Sequence, residues 1–152
     1  MPRRSCRLSK GPDWRGQDKE TIMTEQTPQS ERPAGGPAEI ARLNDLLREH
    51  ITTPGHNRVV MTIGIAALIG DVALFRGFRK RAELLRAVRD FDAFDHGNDP
   101  YGEHDMGSFA FEDAACLWKI DYYSPDLAAG SEDPADPSRT VRVLTIMRAN
   151  ER

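Results

Sequence analysis

Cysteine is scarce in this chain: Cys6 and Cys116 are the two among 152 residues, far apart and in different kinds of segment. That excludes a disulfide framework and a cysteine metal knuckle, and it fits a reducing compartment. No apolar run reaches the ~20 residues a membrane-spanning helix needs. The longest, VVMTIGIAALIGDVALF, is broken by Asp71 and two glycines. It is expected to form a buried strand and a turn, so no membrane role is expected. The positively charged start, MPRRSCRLSKGPDW, lacks the apolar stretch of a secretory leader, and a cytoplasmic location is expected. Also missing are a glycine-rich phosphate loop, a serine in a nucleophile elbow, a His-Glu-x-x-His zinc spacing and a cysteine placed as nucleophile.

What is present is charge, unevenly placed. The formal net charge of -3 gives no global attraction to nucleic acid or a membrane surface. From Arg42 to Arg89, however, nine Lys and Arg stand against four Asp and Glu, and from Asp90 to Asp136 thirteen acids stand against Lys119 alone. With 39% hydrophobic residues the chain has material for one core.

Residues 1–36 are rich in Pro, Gly, Ser, Thr, Gln and charge, and their apolar residues show no period, so a disordered tail is expected there. Met23 opens MTEQTPQSERPAGG, which reads as a protein start in its own right; on that reading residues 1–22 are an over-extended gene start. A single domain is expected over residues 37–152. In PAEIARLNDLLREHI, Ile40, Leu43, Leu47 and Ile51 recur at three- and four-residue steps, the spacing of an amphipathic helix that TTPG stops. RVVMTIGIAAL, from Arg58, is β-branched and reads as a buried strand. DVALFRGFRKRAELLRAVRDFDAF reads as a second helix, with Leu74, Phe78, Leu85, Val88 and Phe91 on one side and a basic face on the other. Gly77 is expected to weaken its first turns by ~1 kcal/mol relative to Ala. SFAFED, ACLWKIDYY and TVRVLTIMRA alternate like strands. The expected fold is α+β, a small antiparallel sheet of three to four strands packed against two helices.

The segments VVMTIGIAAL, NDPYGEHDMGSF, LWKIDYYSPDL and GSEDPADPSRTVRVLTIM resemble an uncharacterised bacterial group, domain-of-unknown-function family 3768, over roughly residues 38–150. The resemblance implies a small cytoplasmic bacterial protein of a kind that accompanies plasmids and integrative elements, with no assigned activity or catalytic residue to carry over. In IGDVALFRGFRKR the chain departs from the family's shorter and less basic connection.

The densest chemistry lies in HGNDPYGEHDMGSF, residues 96–109. Asp92, Asp95, His96, Asp99, Glu103, His104 and Asp105 offer oxygen and imidazole ligands suited to Mg, Mn or Zn, and Asp99 with His104 is the pair a divalent metal would use. Turn chemistry accounts for much of the same stretch: Asn98-Asp99-Pro100 is a turn signal, and the glycines supply positive φ. A metal is therefore not favoured and the cofactor stays unassigned. A second reading is metal-independent: His104 as base, Glu103 or Asp121 as its carboxylate partner, and Lys119 or Tyr123 stabilising charge, with Asp105 a further catalytic candidate. Together these give a small hydrolase, metal-dependent or His/Asp acid–base, centred on Glu103-His104-Asp105. A Lys beside an Asp on a strand is, however, more often a surface pair worth under ~1 kcal/mol.

A third reading is nucleic-acid binding through Arg76, Arg79, Lys80 and Arg81, four cations within six residues of the second helix. The fourth makes the acidic segment 90–136 a surface for a basic partner, since charge of one sign steers association. The leading expectation is a non-enzymatic protein-interaction or accessory module with an unidentified protein partner; the enzyme is the alternative and nucleic acid the further one. Enzyme and binding module differ in one arrangement. An enzyme needs Glu103, His104 and Asp105 converging with Asp121 or Lys119, whereas a binding role leaves them spread over the surface.

Overall fold

The described chain, residues 36–152 of a computed structural model, begins with the helix that apolar spacing marks: α1, Gly36–Glu49. The expected tail and the expected superfluous start lie outside the described residues, except that Gly36 already belongs to α1. Its inward face holds Ile40, Leu43 and Leu47, and the same stripe carries Asn44 and Arg48, both buried. A turn through Thr53 and Gly55 leads to β1, Arg58–Met61.

Beyond Met61 the structure departs from the expected strand, because Ile63–Ile69 is a short helix, α2. The cause is capping. Thr62 Oγ1 accepts the Ile65 N–H at 3.5 Å, and the Glu151 carboxylate, from the far end of the chain, accepts the Gly64 N–H at 2.9 Å and the Thr62 hydroxyl at 2.7 Å. The first turn's otherwise unpartnered N–H groups are thus satisfied, which β-branched composition cannot reveal. Gly70, at φ 82°, ends the helix.

α3, Phe75–Arg89, is shorter than expected and turns a different face inward. Leu85 and Val88 are buried together with Leu84 and Gly77, whereas Leu74 and Phe78, expected inside, are 62% and 60% exposed. Gly77 is not a defect: a Cβ there would meet the Asp71 carbonyl oxygen at 2.1 Å. The residue is small because the turn before the helix lies directly on it.

The remaining elements are β2, Met106–Phe111, β3, Ala114–Tyr123, and β4, Val141–Arg148, with 3-10 turns at Pro137–Arg139 and Ala149–Glu151. β2 and β3 form a hairpin across Glu112 and Asp113, both at positive φ (52° and 62°), the primed turn that matches strand twist. The sheet order is β1-β4-β3-β2: an antiparallel meander from β2 to β4, with β1 added parallel to β4 at the edge. Register places Trp118 opposite Ile146 and Ile120 opposite Leu144, with Val59 and Met61 beside them on β4's other flank. This face meets Leu47, Ile51, Ile65, Ile69, Leu84, Leu85 and Val88 in one core. Fully burying such a side chain contributes about 1.5–3 kcal/mol. The fold is α+β as expected, with three α-helices and a four-stranded, mostly antiparallel sheet among the described residues. Among the described residues no helix is long and apolar enough to cross a membrane.

Candidate functional site

Turn chemistry shapes residues 95–105. Asp95 Oδ1 accepts the N–H groups of Gly97 and Asn98 at 2.8 and 3.0 Å, and Asn98 returns a bond from Nδ2 to the Ala93 carbonyl at 2.8 Å. Asp99 is buried and accepts the Glu103 N–H at 3.0 Å and the His104 N–H at 3.2 Å. These bonds hold His104 at φ 55°, in the left-handed region that costs a non-glycine residue about 1 kcal/mol. The strain turns the imidazole towards α1.

There the ring lies flat on Phe94, centroids 4.0 Å apart and planes within 4°. Nδ1 lies 3.0 and 3.1 Å from the two carboxylate oxygens of Asp45. A carboxylate only accepts, so Nδ1 carries the hydrogen. Nε2 faces Asp99 Oδ2 at 3.8 Å, beyond hydrogen-bond range. Asp45 also pairs with Arg48 Nη2 at 3.0 Å. Arg48 is buried; its Nη1 donates to the carbonyls of Val88 and Phe91 at 2.8 Å each and reaches that of Arg89 at 3.3 Å. It therefore caps the C-terminus of α3, where a cation suits the helix dipole. Its guanidinium lies 4.8 Å from the Trp118 ring centroid and 5.4 Å from that of Phe94. An unbroken line of contacts runs from the end of α3 through Arg48, Asp45 and His104 to the loop.

Asn44 is the centre of a second cluster alongside. Its Nδ2 donates to the Glu103 carbonyl and to the Tyr122 hydroxyl, each at 2.9 Å, and its Oδ1 accepts from Arg142 Nε at 2.7 Å. The Tyr122 hydroxyl donates to Glu103 Oε1 at 3.2 Å. Burial, and then the Glu103 and Asp105 carboxylates, push the Tyr122 phenol well above its ordinary pKa. Burial, then the neighbouring charge of Asp99, raise the Asp105 carboxyl to about 6.

Glu103 and His104 thus fold inward onto α1. Lys119 and Asp121 alternate with Trp118 and Ile120 along β3, so they stand on the opposite face of the sheet and pair with each other at 2.6 Å, both partly exposed. Asp105 feels the charge of Asp121, but the five expected catalytic residues do not meet in one concavity. His96 stays exposed at the loop surface. Among the described residues no group of three or more His, Cys, Asp or Glu side chains could hold a metal ion.

A different surface forms at the start of α3. Val72, Leu74, Phe75 and Phe78 are 51%, 62%, 74% and 60% exposed, with Arg76, Arg79 and Arg81 exposed among them. Arg79 lies 5.7 Å from the Phe75 ring centroid and 3.6 Å from Glu83; Lys80 pairs with Glu112 of the hairpin turn at 3.2 Å. A shallow cavity of about 350 Å³ opens between Phe75, Arg76, Arg79, Lys80, Glu83 and Glu112.

Asn44, Asp45 and Arg48 escaped sequence reasoning, which took α1 for a plain amphipathic helix. A signal was there: Asn44 and Arg48 fall four and eight residues after Ile40, on the apolar stripe itself, where a polar residue must find a buried partner.

Residues 61–151 match the family described as "Protein of unknown function (DUF3768)". No curated protein and no solved structure matches the chain.

Proposed function

Since the chain belongs to the family of unknown function DUF3768, its role has to come from its surface, and we propose that it is a non-catalytic binding module. It docks onto a protein partner through the aromatic and cationic ridge at the start of α3. The observation that carries this is the exposure of Val72, Leu74, Phe75 and Phe78 side by side. Contiguous apolar exposure rimmed by charge marks interaction surfaces, and Phe with Arg is enriched at their centres. The complementary partner presents an apolar groove edged with carboxylates.

The acidic segment 90–136 is a weaker carrier, because most of its acids are already employed. Asp95, Asp99, Asp126, Asp133 and Asp136 accept N–H groups of their own loops, and Asp90, Glu112, Asp121 and Glu132 pair with Arg89, Lys80, Lys119 and Arg139. The same holds for His104. Its Nδ1 is bonded to Asp45 and its ring stacks on Phe94, which supports a reading of the side chain as a clasp between loop and helix; Nε2, 3.8 Å from Asp99 Oδ2, makes no hydrogen bond among the described residues.

The test is a photo-crosslinking amino acid at position 75, compared with one at position 126, in cells that make the protein natively. A discrete crosslinked protein from position 75, lost when Phe78→Asp is added, is the expected result. Crosslinking from position 126 and none from 75 would return the contact to the acidic segment. Nucleic acid is a second reading, favoured by the interleaving of Phe75 and Phe78 with Arg76, Arg79, Lys80 and Arg81, since rings stack on bases while cations meet phosphates. It predicts a mobility shift that weakens steeply with salt; a flat response removes it.

A further inference from the structure

Away from the α3 ridge and adjoining the Asn44 cluster through Arg142, the C-terminal half of α1, the turn at 53–57 and the residues Pro137 and Arg142 line a cavity of about 310 Å³. Leu43, Leu46, Leu47 and Pro54 make its walls apolar. Leu46 is the one wall residue among these left 44% exposed, at the mouth. Arg142 is different in kind: a cation only 2% exposed. The groups that hold its guanidinium are neutral. Nε donates to Asn44 Oδ1 at 2.7 Å, Nη2 donates to the Pro134 carbonyl, and the Tyr122 ring centroid lies 5.3 Å away. Glu103 and Glu39 act on it only across space, without an ion-pair contact, and burial lowers its pKa. Nη1 makes no hydrogen bond to the described residues. Asn57, another wall residue, is turned by accepting the Arg142 backbone N–H at 2.8 Å on its Oδ1.

A buried cation held by neutral groups is costly unless an anion completes it. We propose that this cavity binds a small organic monocarboxylate, its carboxylate on Arg142 and its apolar body between Leu43, Leu46 and Pro54. One guanidinium matches one negative charge. A phosphate monoester, at about -1.5 to -2 near neutrality, would leave charge unbalanced against apolar walls. His50 and His56 border the opening, each with one ring nitrogen tied to a backbone carbonyl, Leu46 O at 3.3 Å and Thr140 O at 3.2 Å. They shape the mouth, and the guanidinium supplies the charge. The site is independent of the α3 ridge.

The test is a titration of the full chain followed by ¹H–¹⁵N correlation spectra, with benzoate and hexanoate as probes and benzamide and hexanamide as neutral counterparts of the same shape. Saturable shifts confined to residues 43–57 and 137–142, including the Arg142 side chain, are expected with the carboxylates, and affinity at least ~10-fold weaker with the amides. Leu46→Glu sets a carboxylate at the mouth without touching the core. It should abolish binding while leaving the thermal midpoint unchanged, which keeps the test valid should Arg142→Met fail to fold. Equal affinity for acid and amide, shifts spread over the molecule, or no saturation by either carboxylate would each overturn the proposal. Tighter binding of phenyl phosphate than of benzoate would overturn the choice of carboxylate.

Discussion

The loop around His104 and the start of α3 are opposites. The loop region is crowded with groups that could do chemistry, and nearly every one has a protein partner: Asp99 with two backbone N–H groups, His104 with Asp45, Arg48 with the carbonyls closing α3. The start of α3 holds no unusual chemistry, yet its phenylalanines and Arg76 face solvent. Density of functional groups and availability of functional groups are separate properties. Burial makes unsatisfied polar atoms expensive, so a rich polar cluster inside a fold tends to be consumed by the fold itself. An exposed apolar ridge carries no such internal obligation and is left to meet something else.

Substitutions can break this contrast, beginning where the effect on stability is largest. Arg48→Ala removes the cap on α3, the pair with Asp45 and the contacts with Trp118 and Phe94 together, and should cost about 3 kcal/mol in urea unfolding. A loss below about 1 kcal/mol would show that the loop cluster is ornamental to the fold. Gly77→Ala should destabilise by about 2 kcal/mol, because the Asp71 carbonyl occupies the space of the new methyl. Helix propensity alone demands the reverse, a gain near 1 kcal/mol, so the sign of the measured change decides.

Asp105→Asn should stabilise. The Asp105 carboxyl titrates near 6 when folded and near 4 when unfolded, so the unfolded chain ionises first and stability falls as pH rises from about 4 to 6. Removing the charge should raise stability at pH 7 by up to about 2 kcal/mol and flatten that part of the pH profile. No gain at pH 7, with the slope intact, would locate the titration elsewhere. At the small end, Phe75→Ala with Phe78→Ala should change stability by less than about 0.5 kcal/mol, since both rings are exposed. A large loss would mean that the ridge belongs to the core.

Much of the fold was legible. The stripe Ile40, Leu43, Leu47 announced α1, and the alternation of Cys116, Trp118, Ile120 and Tyr122 announced the inner face of β3, because side-chain period follows backbone geometry directly. α2 was not legible: its N-terminus depends on Glu151, 87 positions beyond Gly64. Nor was the outward turn of Leu74 and Phe78, since helical period continues past the point where the neighbouring surface ends. For the site, the turn role of Asn98 and Asp99 was readable from local propensity, whereas the direction of His104 was not. Two hydrogen bonds from its N–H to the buried Asp99 carboxylate hold it at φ 55°.

By itself the sequence determined what local physics can determine: an α+β order of elements, the faces of α1 and β3, the turns rich in Asn, Asp and Gly, and the uneven placement of charge. Tertiary structure alone decided which charges are spent and which remain. Asp45 and Arg48 of α1 meet His104 and the end of α3 from 59 and 40 positions away, and no periodicity encodes such a meeting. A residue's availability depends on its neighbours in space, and those are fixed only when the whole chain has packed.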